Sequence, residues 1–202
     1  MSETRIPTQK RSIEKRNKII EKGFELMCEK GYHKTNTLEI AEYTNVSTGI
    51  IYQYFNDKKE IFIEGVKNYS DSIMFPLLEI IDNNTIKIDN LEKMLNELID
   101  KFISAHTISK KAHEEMMAMS HLDEDIAKIF HDRELTMTNK IVSILKYNNF
   151  NNQNIYEKVH IIIGIVDNLC HEIVYHKHNT INYNVMREEV INIIMYILNQ
   201  GD

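Results

Sequence analysis

The chain reads as an all-α protein on three observations. It holds only 2 prolines and 6 glycines in 202 residues, too few turn-formers for a many-stranded sheet. Its apolar residues recur at helical spacing, and cap signals stand where those stripes begin and end. It is 43% hydrophobic and 27% charged, so a buried core is available and wholesale disorder is not expected.

The first helix is predicted over about Gln9 to Lys30, where Ile13, Ile20, Phe24 and Met27 form one stripe and Gly31 supplies a C-terminal stop. Asn36 with Glu39 three positions later is a capping box that opens a short second helix, which Asn45 ends. Ser47 is expected to cap a third helix carrying Ile50, Ile51 and Phe55. Asp57 and Glu60 form another capping box and start a fourth helix toward Ile73, with Pro76 expected to bend or break it. Further helices are predicted at roughly 89–106, 110–120, 123–148, 154–177 and 183–199, separated by polar runs such as Asn83-Asn84 and Asn179–Asn182.

Cys28 and Cys170 are too few and too distant to suggest a disulfide framework, which favours a reducing, cytoplasmic setting. No apolar run approaches the ~18 residues of a membrane span, and the start lacks a signal-peptide core. Charge is uneven. Residues 1–60 hold 11 basic against 9 acidic side chains, whereas the remainder holds 13 against 21. Arg5, Lys10, Arg11, Lys15 and Arg16 crowd the start, so a basic head sits on an acidic body.

Asn36 to Phe55 has the form of a helix-turn-helix, two short helices joined by a tight turn. Ala41 is small where the helices must approach, and Val46 and Ile51 are placed to fill the wedge. The wider string is more specific: Gly31, Thr35, Glu39-Ile40-Ala41, Val46-Ser47-Thr48-Gly49, Ile51-Tyr52-Gln53-Tyr54-Phe55, Lys58 and Ile61. In these residues the sequence resembles the tetracycline-repressor (TetR) family of transcriptional regulators. The likeness covers about residues 9–63. It departs at Thr44-Asn45, where Ala-Gly is customary.

That resemblance implies a three-helix DNA-binding head over 1–56, a helical ligand-binding and dimerisation body over 57–202, and a homodimer. It places DNA contacts at Thr35, Asn36, Thr37, Ser47, Thr48, Gly49, Tyr52, Gln53, Tyr54 and Lys58. The residue chemistry suits these roles. A helix N-terminus receives phosphate, and Lys58, awkward in the first turn of a helix whose dipole favours anions, is explained by a nearby phosphate. Ser47 to Phe55 contains no Arg or Lys, so the commonest guanine contact is missing. Gln53 suits adenine, and Thr48 and Ile50 offer methyl groups to thymine. The expected partner is a palindromic, A·T-rich operator, with the basic arm Arg5 to Arg16 near the minor groove.

The body is expected to hold a small hydrophobic effector against Met94, Leu98, Phe102, His106, Met116 and Met119, methionine being an adaptable lining. Ile162, Val166 and Leu169, with Val190, Ile194 and Ile197, are expected to form a four-helix dimer interface. The fourth helix, which joins head and body, is the expected lever of release.

Enzymatic readings find little footing. His171 and His176 lie five apart, about 140° around a helix, so the zinc-protease signature is absent. Glu172, His176 and His178 could hold a metal adventitiously, but no metal or cofactor is assigned. A helical interaction protein would account for the body but not for the Ser47–Lys58 string.

Overall fold

The computed structural model of the chain describes residues 7–81, 88, 90–107, 109–150 and 153–199, with the backbone alone over 72–81. Arg5 and the Asn83-Asn84 separator therefore lie outside the described residues. Those residues form the α-helices α1 (Lys10–Lys30), α2 (Thr37–Thr44), α3 (Thr48–Tyr54), α4 (Lys58–Ile81), α5 (Leu91–His106), α6 (Lys110–Leu122), α7 (Glu124–Tyr147), α8 (Ile155–Val174) and α9 (Tyr183–Asn199).

The local signals act as expected at most ends. Gly31 takes φ +101°, a conformation L side chains rarely adopt, and its N–H returns to Met27. Asn36 accepts from the Glu39 N–H while Glu39 accepts from the Asn36 N–H, both at 3.0 Å, completing the capping box. Asn45 is left-handed at φ 56° and closes the helix-turn-helix corner. Two expectations are corrected. The Ser47 side chain makes no capping bond, and α4 runs through position 76 to Ile81. The break expected at position 76 is absent, the helix continuing for five more residues.

The chain divides into two compact units. The first comprises residues 1–70 and 111–130, more chain than the 1–56 read as the head from the sequence. Its core joins Ile19, Phe24 and Met27 of α1 to Ile40, Ile51, Phe55 and Phe62, and it also takes in Met116, Met119 and Ile126. Polar ties bind the later segment into this unit. Glu115 accepts the Tyr32 N–H at 2.6 Å, and Lys59 reaches Asp123 and Asp125 at 2.7 Å. Gly65 is fixed by packing, since a Cβ there would lie 2.4 Å from the Phe24 ring.

The second unit comprises residues 71–110 and 131–202, and packs α5, α8, α9 and the latter part of α7 around Ile99, Leu145, Val159, Leu169 and Ile194. Arg187 of α9 clamps α5 through Asp100 at 2.5 Å and the Asn96 carbonyl at 2.7 Å. No helix among the described residues is long and apolar enough to cross a membrane.

Candidate nucleic-acid interface and effector cavity

In the head unit, α3 buries Ile51 and Tyr54 and turns the opposite side outward. Tyr52 is 55% exposed, Ser47 and Gly49 are exposed, and Thr48, Ile50 and Gln53 are half-buried. A Cβ on Gly49 would meet only the Ser47 hydroxyl, at 3.9 Å. The fold itself therefore has room for a side chain at this helical position, where glycine costs about 0.5–1 kcal/mol relative to alanine.

Three expected contacts have other occupations. Tyr54 is 6% exposed and belongs to the head core. Thr35 is 2% exposed, and its hydroxyl donates to the Gly31 carbonyl at 2.9 Å. Lys58 is half-buried, and its Nζ donates to the carbonyls of Tyr32 (2.6 Å) and Thr35 (2.7 Å) while lying 4.3 Å from the Tyr32 ring centroid. Its cation is thus explained inside the head, by two carbonyls and an aromatic face, without a phosphate. Burial lowers its pKa, a shift the nearby Glu39 charge opposes. Asn36 stays exposed and Thr37 half-buried at the start of α2, but the Asn36 carboxamide oxygen is committed to its cap.

The basic start is also redistributed. Lys10 to Arg16 is helical, and Arg16 turns onto the Phe55 ring and toward Glu64 at 3.5 Å. Lys10 and Arg11 are exposed, as is Lys34 in the turn before α2, a cation the sequence reading did not single out.

The second unit contains a cavity of about 500 Å³. Met94, Leu98 and Phe102 line it, joined by Met137 and Ile141 of α7. Met116 and Met119 are corrected. They are core residues of the head unit, 1% and 3% exposed. His106 is buried beside Phe102, outside the cavity lining.

Four of the expected dimer residues, Ile162, Leu169, Val190 and Ile194, are buried within the unit and are corrected. Leu169 and Ile194 are wholly buried and Val190 nearly so, while Ile162 and Val166 face the cavity. Ile197 is half-buried against the same core. The outward face of these helices carries Ile161 (55% exposed), Ile193 (45%) and Tyr196 (66%). Gly164 lies one turn after Ile161, with nothing within 4 Å of where its Cβ would be.

Cys28 and Cys170 are buried, and burial pushes both thiols up to about 12, which leaves neither as a nucleophile. Glu172 pairs with His178 at 3.7 Å.

Residues 19–64, the stretch that contains this helix-turn-helix, match the profile of bacterial regulatory proteins of the tetR family. Over these residues the chain is similar to the TetR family. Among curated relatives, the chain is 38% identical over 78 residues to the HTH-type transcriptional regulator HbdR of Aromatoleum sp. (strain CIB), covering 39% of this chain and 34% of that one. It is 26% identical over 136 residues to the biofilm operon icaADBC HTH-type negative transcriptional regulator IcaR of Staphylococcus aureus (strain Newman), covering 61% of this chain and 73% of IcaR. The TetR likeness in fold extends much further than that in sequence. A candidate TetR-family regulator of Mesorhizobium loti superimposes with a TM-score of 0.75 at 17% identity, covering 94% of this chain and 98% of that one. A candidate regulator from Saccharomonospora viridis, crystallised in complex with choline, gives 0.65 at 16% identity over 91% and 96%.

Proposed function

We propose that the protein is a dimeric transcriptional repressor that leaves a palindromic, A·T-rich operator when a small hydrophobic effector fills the cavity of its second unit. The observation that carries the reading is the outward face of α3, with Ser47, Gly49 and Tyr52 exposed and no cation on the helix. Hydroxyls and a phenol position a protein on phosphates, while Gln53 and the methyl groups of Thr48 and Ile50 suit A·T pairs. Affinity then comes from cations outside the reading helix, Lys10, Arg11 and Lys34 among the described residues, and falls steeply with salt.

The cavity lining is apolar apart from Asn90, Lys93 and Glu97, which suits a hydrophobic compound with one polar end. Choline in the Saccharomonospora neighbour supports the idea that this fold accommodates small organic molecules. Dimerisation uses the outward face marked by Ile161, Gly164, Ile193 and Tyr196. The effector acts by binding the arrangement that cannot hold DNA better than the one that can, and α4, which carries the chain from one unit into the other, transmits the choice.

Selection of binding sites from random duplexes with the full chain tests this reading. It predicts an A·T-rich inverted repeat. Invariant guanines beneath α3 would overturn the readout, and failure to enrich any duplex would overturn the function.

A further inference from the structure

In the second unit, α5 and α8 bring together three side chains that lie far apart in sequence. His106 closes α5 and is 4% exposed, and Asp167 and His171 stand one turn apart on α8. One donor atom from each lies within 4.8 Å of the others. His106 Nε2 is 3.4 Å from Asp167 Oδ1, and His171 Nε2 is 3.6 Å from Asp167 Oδ2. Both separations exceed the roughly 2.7–3.2 Å of a well-formed N–H···O bond. They are close to the edge of about 3.3 Å between ligand atoms around a tetrahedral ion with bonds of about 2.0–2.1 Å.

The surroundings prepare the ring nitrogens. His106 Nδ1 lies 2.8 Å from the Phe102 carbonyl, which can only accept, so Nδ1–H donates there and Nε2 is the ring atom left facing Asp167. The Tyr175 hydroxyl donates to the His106 carbonyl, and the His171 ring packs edge-on against both His106 and Tyr175. His106 is the last residue of α5 and His171 lies in the last turn of α8, where helix dipoles favour positive charge. Asp167 is half exposed and opens the cluster to solvent. Among the described residues, Lys110 Nζ is 3.5 Å from the Tyr175 carbonyl, and His176 packs edge-on against the Tyr175 ring.

We infer that His106, Asp167 and His171 bind a divalent first-row transition-metal ion, zinc foremost, through the two Nε2 atoms and the carboxylate. Two imidazoles and one carboxylate suit zinc and its neighbours in the series better than magnesium or calcium, which seek oxygen. A fourth position is left to water. Phe102, which orients His106, also lines the cavity, and so does Val166 beside Asp167. An ion here therefore braces two walls of that chamber. The inference needs only the fold of this unit and stands apart from the DNA-binding reading.

The full-length protein, stripped with chelator, is titrated with zinc by calorimetry and with cobalt by visible absorption. One ion per chain is expected, with the cobalt spectrum of a low-symmetry, nitrogen-containing site. Asp167→Asn and His171→Ala each weaken binding by at least roughly 100-fold, the upper end of what an outer-shell change costs. Circular dichroism shows that either variant tested is folded, and one folded variant suffices. Absence of saturable binding overturns the inference. So does a wild-type isotherm in a folded variant, which would assign the ion to surface pairs such as His160–Glu134.

Discussion

The ammonium of Lys58, in the first turn of α4, lies 2.7 Å from the carbonyl oxygen of Thr35, just ahead of α2. A cation at a helix N-terminus is electrostatically misplaced with respect to its own helix, and here it is held by the turn between α1 and α2. Lys58 thus fastens the corner that aims the helix-turn-helix.

Lys58→Ala is accordingly expected to destabilise the head by about 1.5–3 kcal/mol, the range for a hydrogen bond to a charged group. Thermal unfolding checks this. A variant with wild-type stability and weakened operator binding would instead return Lys58 to the phosphate backbone.

Gly49→Ala separates folding from recognition. The free protein is expected to gain up to about 1 kcal/mol, since the added methyl has room and alanine favours the helix. Operator affinity is expected to fall roughly tenfold, about 1.4 kcal/mol, because the methyl keeps α3 from its partner surface. Melting curves and a binding titration read the two effects, and unchanged affinity would sink the close-approach argument.

Gly164→Leu tests the outward face of α8. Among the described residues nothing lies within 4 Å of where a Cβ at Gly164 would be, so the fold should hold. The dimer dissociation constant should rise at least about tenfold. Sedimentation over a dilution series is the measurement.

The head should weaken in acid. The Lys30 hydrogen bond, helped by the Asn36 N–H, holds Glu39 below its ordinary 4.5, and the Lys59 hydrogen bond does the same for Asp123 from 3.8. A carboxylate whose folded pKa is depressed contributes fully above its unfolded value, and the contribution is lost as pH falls through the folded one. Melting temperature followed from about pH 6 to pH 2 should drop below the ordinary carboxylate values, and Glu39→Gln should flatten that fall.

Helix positions were legible in the sequence because caps are local. Asn36-Glu39, Gly31 and Asn45 each act within a few residues, and the boundaries they mark stand within a residue or two of those observed. What was not legible is direction. Both flanks of α8 are apolar, so spacing alone could not distinguish Leu169, sealed in the core, from Ile161, turned out. The same blindness put Tyr54 beside Tyr52 as a contact, although the two lie about 200° apart on α3. Met116 and Met119 were misplaced because α6 lies far along the chain from the head it packs into. The His106–Asp167–His171 cluster left no motif, since its members meet only across two helices.

α8 has one side on the cavity, at Ile162 and Val166, and presents Ile161 and Gly164 on another. Under the function proposed above, a molecule that swells the chamber and a second subunit that leans on the outside would compete for, or cooperate through, the same rod. Reciprocity then requires that the apparent effector affinity change as the protein is diluted past its association midpoint, by the factor with which the effector shifts that midpoint.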